Sequence, residues 1–217
     1  MATHRKPPRE TLTRERVLQA ALTMADELGA EALSMRGLGQ RLGVEAMSLY
    51  NHVANKDDVL DAILDMVVAE ISPAATTGEW RAAIRASALS ANEVLYQHWW
   101  ACSMWLQRPP GPARARYMER LLACIDRSRL PHDIAHHAYH VIDTYIVGFT
   151  AQERTFVMGA DQLAAAADKF LGQLSVTEFP HVIAHVHEHL DDEPTANAFE
   201  FGLDLILDGL GRLKRVK

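Results

Sequence analysis

Several residues in one short stretch have the chemistry to work on nucleic acid. They are Arg36, Ser48, Tyr50, Asn51, His52 and Lys56. An arginine can meet a guanine edge with two hydrogen bonds, or a phosphate. Serine and asparagine can donate to bases or phosphates, and Tyr50, His52 and Lys56 suit phosphate oxygens. Met47 can pack on a thymine methyl, and Ala46 beside it is small enough for a helix to sit deep in a groove. Other roles stay open for three of these residues. The Tyr50 ring can pack under its own unit, Met47 can serve a core, and His52 can be a solvated surface histidine.

Two further groups carry chemistry. His132, His136, His137 and His140 share one segment, and His181, His185, His187 and His189 another. A histidine pair one helical turn apart, such as His136 and His140, can bind zinc or copper. No cysteine accompanies them and spacing fixes no third ligand. Surface or hydrogen-bonded histidines are therefore the simpler reading, so no metal is expected, and a metal-responsive protein is the alternative. Tyr96, His98, Trp99, Trp100, Met104 and Trp105, followed by Tyr139, Tyr145 and Phe149, can wall a cavity for an apolar or planar ligand. Ordinary core packing is open to each of them. Trp99 and Trp100 are adjacent on a helix, so only one of the two can face such a cavity.

Helices must hold these groups. Val17, Ala20, Ala21, Met24, Ala25 and Leu28 recur at helical spacing and form one apolar stripe. Thr13 suits an N-cap and Gly29 a stop. Breaks at Ser72-Pro73, Arg108-Pro109-Pro110, Leu130-Pro131, Phe179-Pro180 and Glu193-Pro194 divide the remainder. The pattern predicts helices near 13–28, 35–42, 46–52, 56–71, 79–106 with a possible break, 113–128, 132–155, 181–190 and 195–214. Residues 158–178 fit either helix or loop. No segment alternates with period two for long enough to make a strand, so the expected class is all-α.

Within that frame Ser34 caps a short helix, and Leu38 and Leu42 lie one turn apart on its buried side. Gly43 ends it in a left-handed conformation, and Val44 and Leu49 hold a second helix against it. Ala46, Met47, Ser48, Tyr50, Asn51 and His52 are left facing outward. Asn55-Lys56-Asp57-Asp58 caps the next helix, whose N-terminal N–H groups also point outward.

The net charge of −6 looks wrong for a nucleic-acid binder until it is divided. Residues 1–56 carry 8 Lys+Arg against 6 Asp+Glu, and the remainder carries 14 against 22. A mildly basic head (1–56) is thus joined to an acidic body (57–217), and only the head should face phosphates. No apolar run is long enough to span a membrane, and Met1–Glu10 lacks the apolar core of a secretion signal. Cys102 and Cys124 make no disulfide framework and read as small buried hydrophobes, which fits a reducing cytoplasm. There is no Gly-x-Ser-x-Gly elbow, His-Glu-x-x-His or phosphate loop, so neither an enzyme nor a cofactor is expected.

The run Leu33-Ser-Met-Arg-Gly-Leu-Gly-Gln-Arg-Leu-Gly-Val-Glu-Ala-Met-Ser-Leu-Tyr-Asn-His-Val-Ala-Asn-Lys-Asp-Asp-Val-Leu60 resembles the signature of the tetracycline-repressor (TetR) family. Leu49-Tyr50-x-His52-Val53-x-Asn55-Lys56 is its most diagnostic part. Gly78-Glu79-Trp80 and the segment from Phe199 to Leu210 are similar to the start and the last helix of the tetracycline-repressor body. The resemblance implies a homodimeric transcriptional repressor that binds a palindromic double-stranded DNA operator and is released by a small-molecule effector. An activator of the same fold is the alternative. It also implies an effector pocket among the helices of 79–155, drawing on Ser87, Ala91, Trp100, Met104, Trp105, Tyr139, Tyr145, Phe149 and Gln152. The stripe Phe199, Gly202, Leu203, Ile206 and Leu210 suits either monomer core or a four-helix dimer seam. The resemblance favours the seam, joined by 132–155.

The tetracycline repressor itself holds a metal–drug chelate with a histidine four residues before an Arg-Pro pair. Met104 stands there in this chain. A glutamate four residues after a glycine in its long dimer helix is replaced by Gln152, after Gly148. Its drug-amide contacts are replaced by Ser87 and Ala91. A thioether and a neutral amide are poor ligands for hard Mg²⁺. The expected effector is therefore metal-free and apolar or aromatic.

Overall fold

Thr13, Ser34 and Asn55 each begin a helix in the same way. A side-chain oxygen accepts a backbone N–H that the first turn would leave unmade. Thr13 Oγ1 accepts from Arg16 N at 3.2 Å, Ser34 Oγ from Gly37 N at 3.1 Å and Asn55 Oδ1 from Asp58 N at 2.8 Å. The elements run α1 (Arg14–Leu28), α2 (Met35–Leu42), α3 (Ala46–Leu49), α4 (Lys56–Glu70), α5 (Trp80–Gln97) and α6 (Ala101–Gln107). They continue as α7 (Pro112–Arg127), α8 (His132–Thr155), α9 (Ala160–Leu171), α10 (Pro180–Leu190) and α11 (Ala198–Leu213). This computed structural model describes residues 11–155, 160–190 and 197–213, and these are all-α as the periodicity predicts. The first ten residues, the Glu193-Pro194 break and the His189 side chain lie outside the described residues.

One continuous core runs from Val17 and Leu38 through Ile63 and Val67 of α4 to Trp105, Ile142 and Leu207. Helix α4 packs on α1 on one side and on α5, α6 and α7 on the other, so it belongs to head and body at once. In α1 the buried face takes in Leu18 and Leu22, whereas Leu28 of the expected stripe is 59% exposed. The face that meets α2 and α4 is centred on Ala21, and Leu28 in the last turn projects past it. The predicted 79–106 helix is broken at His98–Trp100 into α5 and α6. Of the ambiguous 158–178 stretch, Ala160–Leu171 is helix, and the segment beyond it leads into α10. Helices α9 and α10 pack on each other.

The last helix corrects one expectation. Phe199, Leu203 and Leu210 were expected at a dimer seam, but they lie in the protomer's own core, at 1%, 0% and 9% exposure. A side chain already covered by its own chain has no surface left to give a partner. Phe199 stacks on Tyr145 at 5.3 Å and meets Phe149 edge-on at 5.5 Å. Gly202 likewise serves an internal contact, because a Cβ there would overlap the Tyr145 hydroxyl. Ile206 is half-buried, and the outward face of α11 carries Phe201 and Leu205 instead. Charge pins the helix in place: Arg85 of α5 pairs with Glu200 and Asp204, and Arg81 with Asp208.

This geometry separates two glycines of the same helix. Alanine at Gly202 must displace Tyr145, whose hydroxyl donates to the Phe199 carbonyl at 2.9 Å. Alanine at Gly209 meets open space. Gly202→Ala is expected to cost about 1–3 kcal/mol through overpacking. Gly209→Ala is expected to gain up to about 1 kcal/mol from helix propensity. Urea denaturation of the two variants checks the opposite signs.

Candidate nucleic-acid interface and its coupling to the body

Gly43 (φ 68°, ψ 32°) ends α2 in the left-handed region, which a residue with a Cβ adopts only with strain, and turns the chain into α3. Leu49 and Val53 are buried beneath α3. Met47 stands out at 75% exposure and Tyr50 at 45%, with Arg36 and Asn51 also exposed. Ala46, Ser48, His52 and Lys56 are half-buried at the edges of this face. Lys56 Nζ reaches the Glu31 carbonyl at 3.4 Å, which holds its charge beside the face.

Helix α3 is shorter than the predicted 46–52. It ends at Leu49, and residues 50–52 form a tighter turn in which His52 N donates to the Leu49 carbonyl at 2.9 Å. Side chains take the backbone groups that a longer helix would use. Arg14 Nη1 donates to the His52 carbonyl at 3.0 Å, and Asp58 Oδ2 accepts from Ala54 N at 2.8 Å. Asp58 also receives both guanidinium nitrogens of Arg14, at 2.9 and 2.8 Å. Those hydrogen bonds, Arg14 first and Ala54 N–H second, hold the Asp58 carboxyl at about 2 against an ordinary 3.8. A carboxyl lowered on folding contributes stability above its unfolded value and loses it as pH falls through its folded value. The stability gap between wild type and Asp58→Asn is therefore expected to be full at pH 6 and to close between pH 3.8 and about 2. Chemical denaturation at stepped pH tests this.

Three ties join the head and α4 to the body. Arg108, after α6, donates to Asp57 at 2.6 Å and Asp61 at 2.5 Å on α4. Asp65, one turn further on, accepts from Ala113 N at 2.7 Å and so caps α7 from another helix, since Gly111 has no side chain to do it. The third tie lies at the α5–α6 break. Asp26 Oδ1 of α1 accepts from the Trp100 indole at 2.7 Å and lies 2.7 Å from His98 Nδ1. His98 Nε2 is also 3.4 Å from Glu70 of α4, and Trp99 Nε1 reaches the Asp26 carbonyl at 3.4 Å.

The match to known proteins covers both parts. The description "Bacterial regulatory proteins, tetR family" fits residues 17–63, and "Tetracyclin repressor-like, C-terminal domain" fits residues 72–213. The chain belongs to the TetR family. It is thus a DNA-binding regulator of transcription. It is 34% identical, over 96% of this chain and 82% of the relative, to the HTH-type transcriptional repressor DrrR1 of Streptomyces coeruleorubidus. The crystal structure of ActR from Streptomyces coelicolor in complex with (S)-DNPA is similar, with TM-score 0.73 and 29% identity over 92% of this chain and 96% of that one. The ActR complex with actinorhodin has TM-score 0.72 and 28% identity, over 92% and 97% of the two chains.

The TetR-family body uses its aromatics differently from expectation. Trp100 is buried in the head–body tie, not in a cavity wall. Tyr145 and Phe149 pack on Phe199 in the α8–α11 core. Ser87 is turned to the α4–α5 connection, where its hydroxyl donates to the Ser72 carbonyl at 2.9 Å. Ala91 and Met104 are buried and Gln152 is exposed. Trp100, Tyr145, Phe149 and Ser87 have each found a partner on another element, which spacing along one helix cannot reveal.

Trp105 and Tyr139 do come together, around a polar pair that sequence reasoning missed. Trp105 is 1% exposed, meets Tyr117 edge-on at 5.7 Å and donates to Asp143 at 3.4 Å. The Arg114 guanidinium lies 4.6 Å from the Trp105 ring centroid. Burial pushes the Asp143 carboxyl up and the Tyr139 hydroxyl to about 12. An acidic stripe was the legible signal for the α4 ties: Asp57, Asp61 and Asp65 recur every turn and need cations or N–H groups opposite. Nothing comparable marks Arg114 and Asp143. Beside them a cleft of ≈ 150 Å³ opens between α4 and the α6–α7 connection, with Arg114 and Asp65 in its wall.

Among the described residues no three His, Cys, Asp or Glu side chains converge on one point. His136 and His140 have ring centroids 4.7 Å apart on an exposed face of α8. No helix among the described residues is long and apolar enough to cross a membrane. Cys102 and Cys124 are both free and buried.

Proposed function

We propose that this protein is a homodimeric repressor whose two heads bind a palindromic operator and are released by a small, metal-free effector held in the body. Residues 1–56 act as the DNA-binding head and 57–217 as the effector-binding and dimerisation body. Arg36, Met47 and Asn51 meet the major groove, with Ala46 and Ser48 at its floor and Tyr50, His52 and Lys56 toward phosphates. The observation that carries this reading is the double attachment of α4. It opens with Lys56 beside the reading face and is bound along Asp57, Asp61 and Asp65 to the α6–α7 region of the body. A ligand that shifts α6 or α7 must move α4, and with it the spacing of the heads.

Energetics set the requirement. A ~100-fold loss of operator affinity needs about 2.7 kcal/mol of differential effector binding between the two head spacings. The repressor named among the relatives, and the ligand complexes of ActR, support a repressor with an organic effector. Met104 and Gln152, where the tetracycline repressor has metal-binding groups, support a metal-free one. For the dimer, the exposed Phe201 and Leu205 of α11 and Val141 of α8 offer the apolar outer face that a seam requires.

The test is a gel shift of the full chain on DNA from its own promoter region, with sedimentation to count subunits. A dimer bound to one palindrome, with affinity falling steeply as salt rises, is the expected result. A monomer on DNA, or salt-insensitive binding, would refute the proposal.

A further inference from the structure

We propose that the effector places a neutral hydroxyl group, carried on an aromatic ring, between Arg114 of α7 and Asp143 of α8. This rests on reading the body as an effector receptor and names the chemistry that the receptor selects.

Arg114 and Asp143 both meet the Trp105 ring, the guanidinium 4.6 Å from its centroid and the carboxylate 3.4 Å from its Nε1, so each charge acts on the other, yet no ion pair joins them. Each is partly committed elsewhere. Arg114 Nη1 donates to the Trp105 carbonyl at 2.5 Å and the Arg108 carbonyl at 3.3 Å, which fixes the guanidinium over the indole. Asp143 Oδ2 accepts from Trp105 Nε1 at 3.4 Å. What remains is one buried donor, Arg114 Nε, and one buried acceptor, Asp143 Oδ1, neither with a partner in the protein. Buried polar groups are rarely left unmade, so this pair points to a bound group.

The pair is selective. A hydroxyl offers one donor and two acceptor positions, so it can give its proton to Asp143 Oδ1 and accept from Arg114 Nε. An ether or ketone serves Arg114 alone. A ligand carboxylate is repelled by Asp143, and a ligand ammonium by Arg114. The surroundings choose the rest of the molecule, because Trp105, Tyr117 and Tyr139 surround the polar pair. Arg114 also stands in the wall of the ≈ 150 Å³ cleft between α4 and Pro109-Pro110. Leu64 and Val68 of α4 share that cleft, so a ligand there touches the helix that carries the head.

Isothermal titration of the full chain with 2-naphthol, 2-methoxynaphthalene and 2-naphthoate tests the assignment. The naphthol is expected to bind at least about tenfold more tightly than the ether or the acid. Asp143→Leu is expected to erase that preference. Asp143→Asn, which keeps size and an acceptor oxygen, is expected to retain part of it. Equal affinity for naphthol and ether in the wild type overturns the proposal, even if neither variant folds. So does the absence of binding by all three compounds. In that case, intact operator binding by the same preparation leaves the repressor reading standing. A naphthol preference without operator binding would overturn the repressor reading alone.

Discussion

Tyr50→Ala is expected to lower operator affinity by about 100-fold or more while leaving the fold and the dimer unchanged. Tyr50 follows α3 and stands 45% exposed close to Met47, so part of its side chain is open to a partner. A hydrogen bond to a charged phosphate contributes about 1.5–3 kcal/mol. A symmetric dimer loses it twice, and about 2.7 kcal/mol is already 100-fold. Just over half of the side chain is covered, so a stability loss of about 1–2 kcal/mol is expected, small enough for the folded protein to persist. Fluorescence anisotropy at one fixed salt concentration reads the affinity, and sedimentation reads the dimer. A loss below about threefold would place the reading face elsewhere.

Asp26→Ala is expected to have the largest effect at the joint between head and body. It removes the acceptor of the Trp100 indole, which is 2% exposed, and the partner of His98 Nδ1. A buried donor left unmade costs about 1–3 kcal/mol, and the lost contact with His98 Nδ1 adds to that. The expected loss of unfolding free energy is therefore about 2–4 kcal/mol. Hydrogen exchange should rise in the last turn of α1 and at His98–Ala101 before it rises in α8. Asp26→Asn keeps an acceptor for Trp100 and should lose roughly half as much. Asp26→Ala and Trp100→Phe should be strongly non-additive, because each removes the same bond. Additive losses would show that the contact contributes nothing as a unit.

The head was readable because its constraints are local. Ser34 as a cap, Gly43 as a left-handed stop, and Leu38 and Leu49 as the facing apolar pair lie within sixteen residues, from Ser34 to Leu49, and each has a direct structural reason. The body was less so, because its decisive contacts are distant in sequence. The Trp100 indole finds its acceptor 74 residues away in α1, and Trp105 finds Asp143 38 residues away. Read along one helix, both rings look like cavity lining. In α11 the difficulty is different. Phe199 and Leu203 share a helix with Phe201 and Leu205, so both faces are apolar, and periodicity cannot say which one the chain keeps for itself. The packing of Tyr145 against Gly202 and Phe199 decides it.

The claim that the Arg36–Lys56 face reads DNA as a symmetric pair is tested most directly by methylation protection on promoter DNA bound by the full chain. Two protected guanine patches, about one helical turn apart centre to centre and related by the symmetry of the site, are the result expected of paired heads in successive major grooves. A single patch, or no protection at low salt, would contradict it.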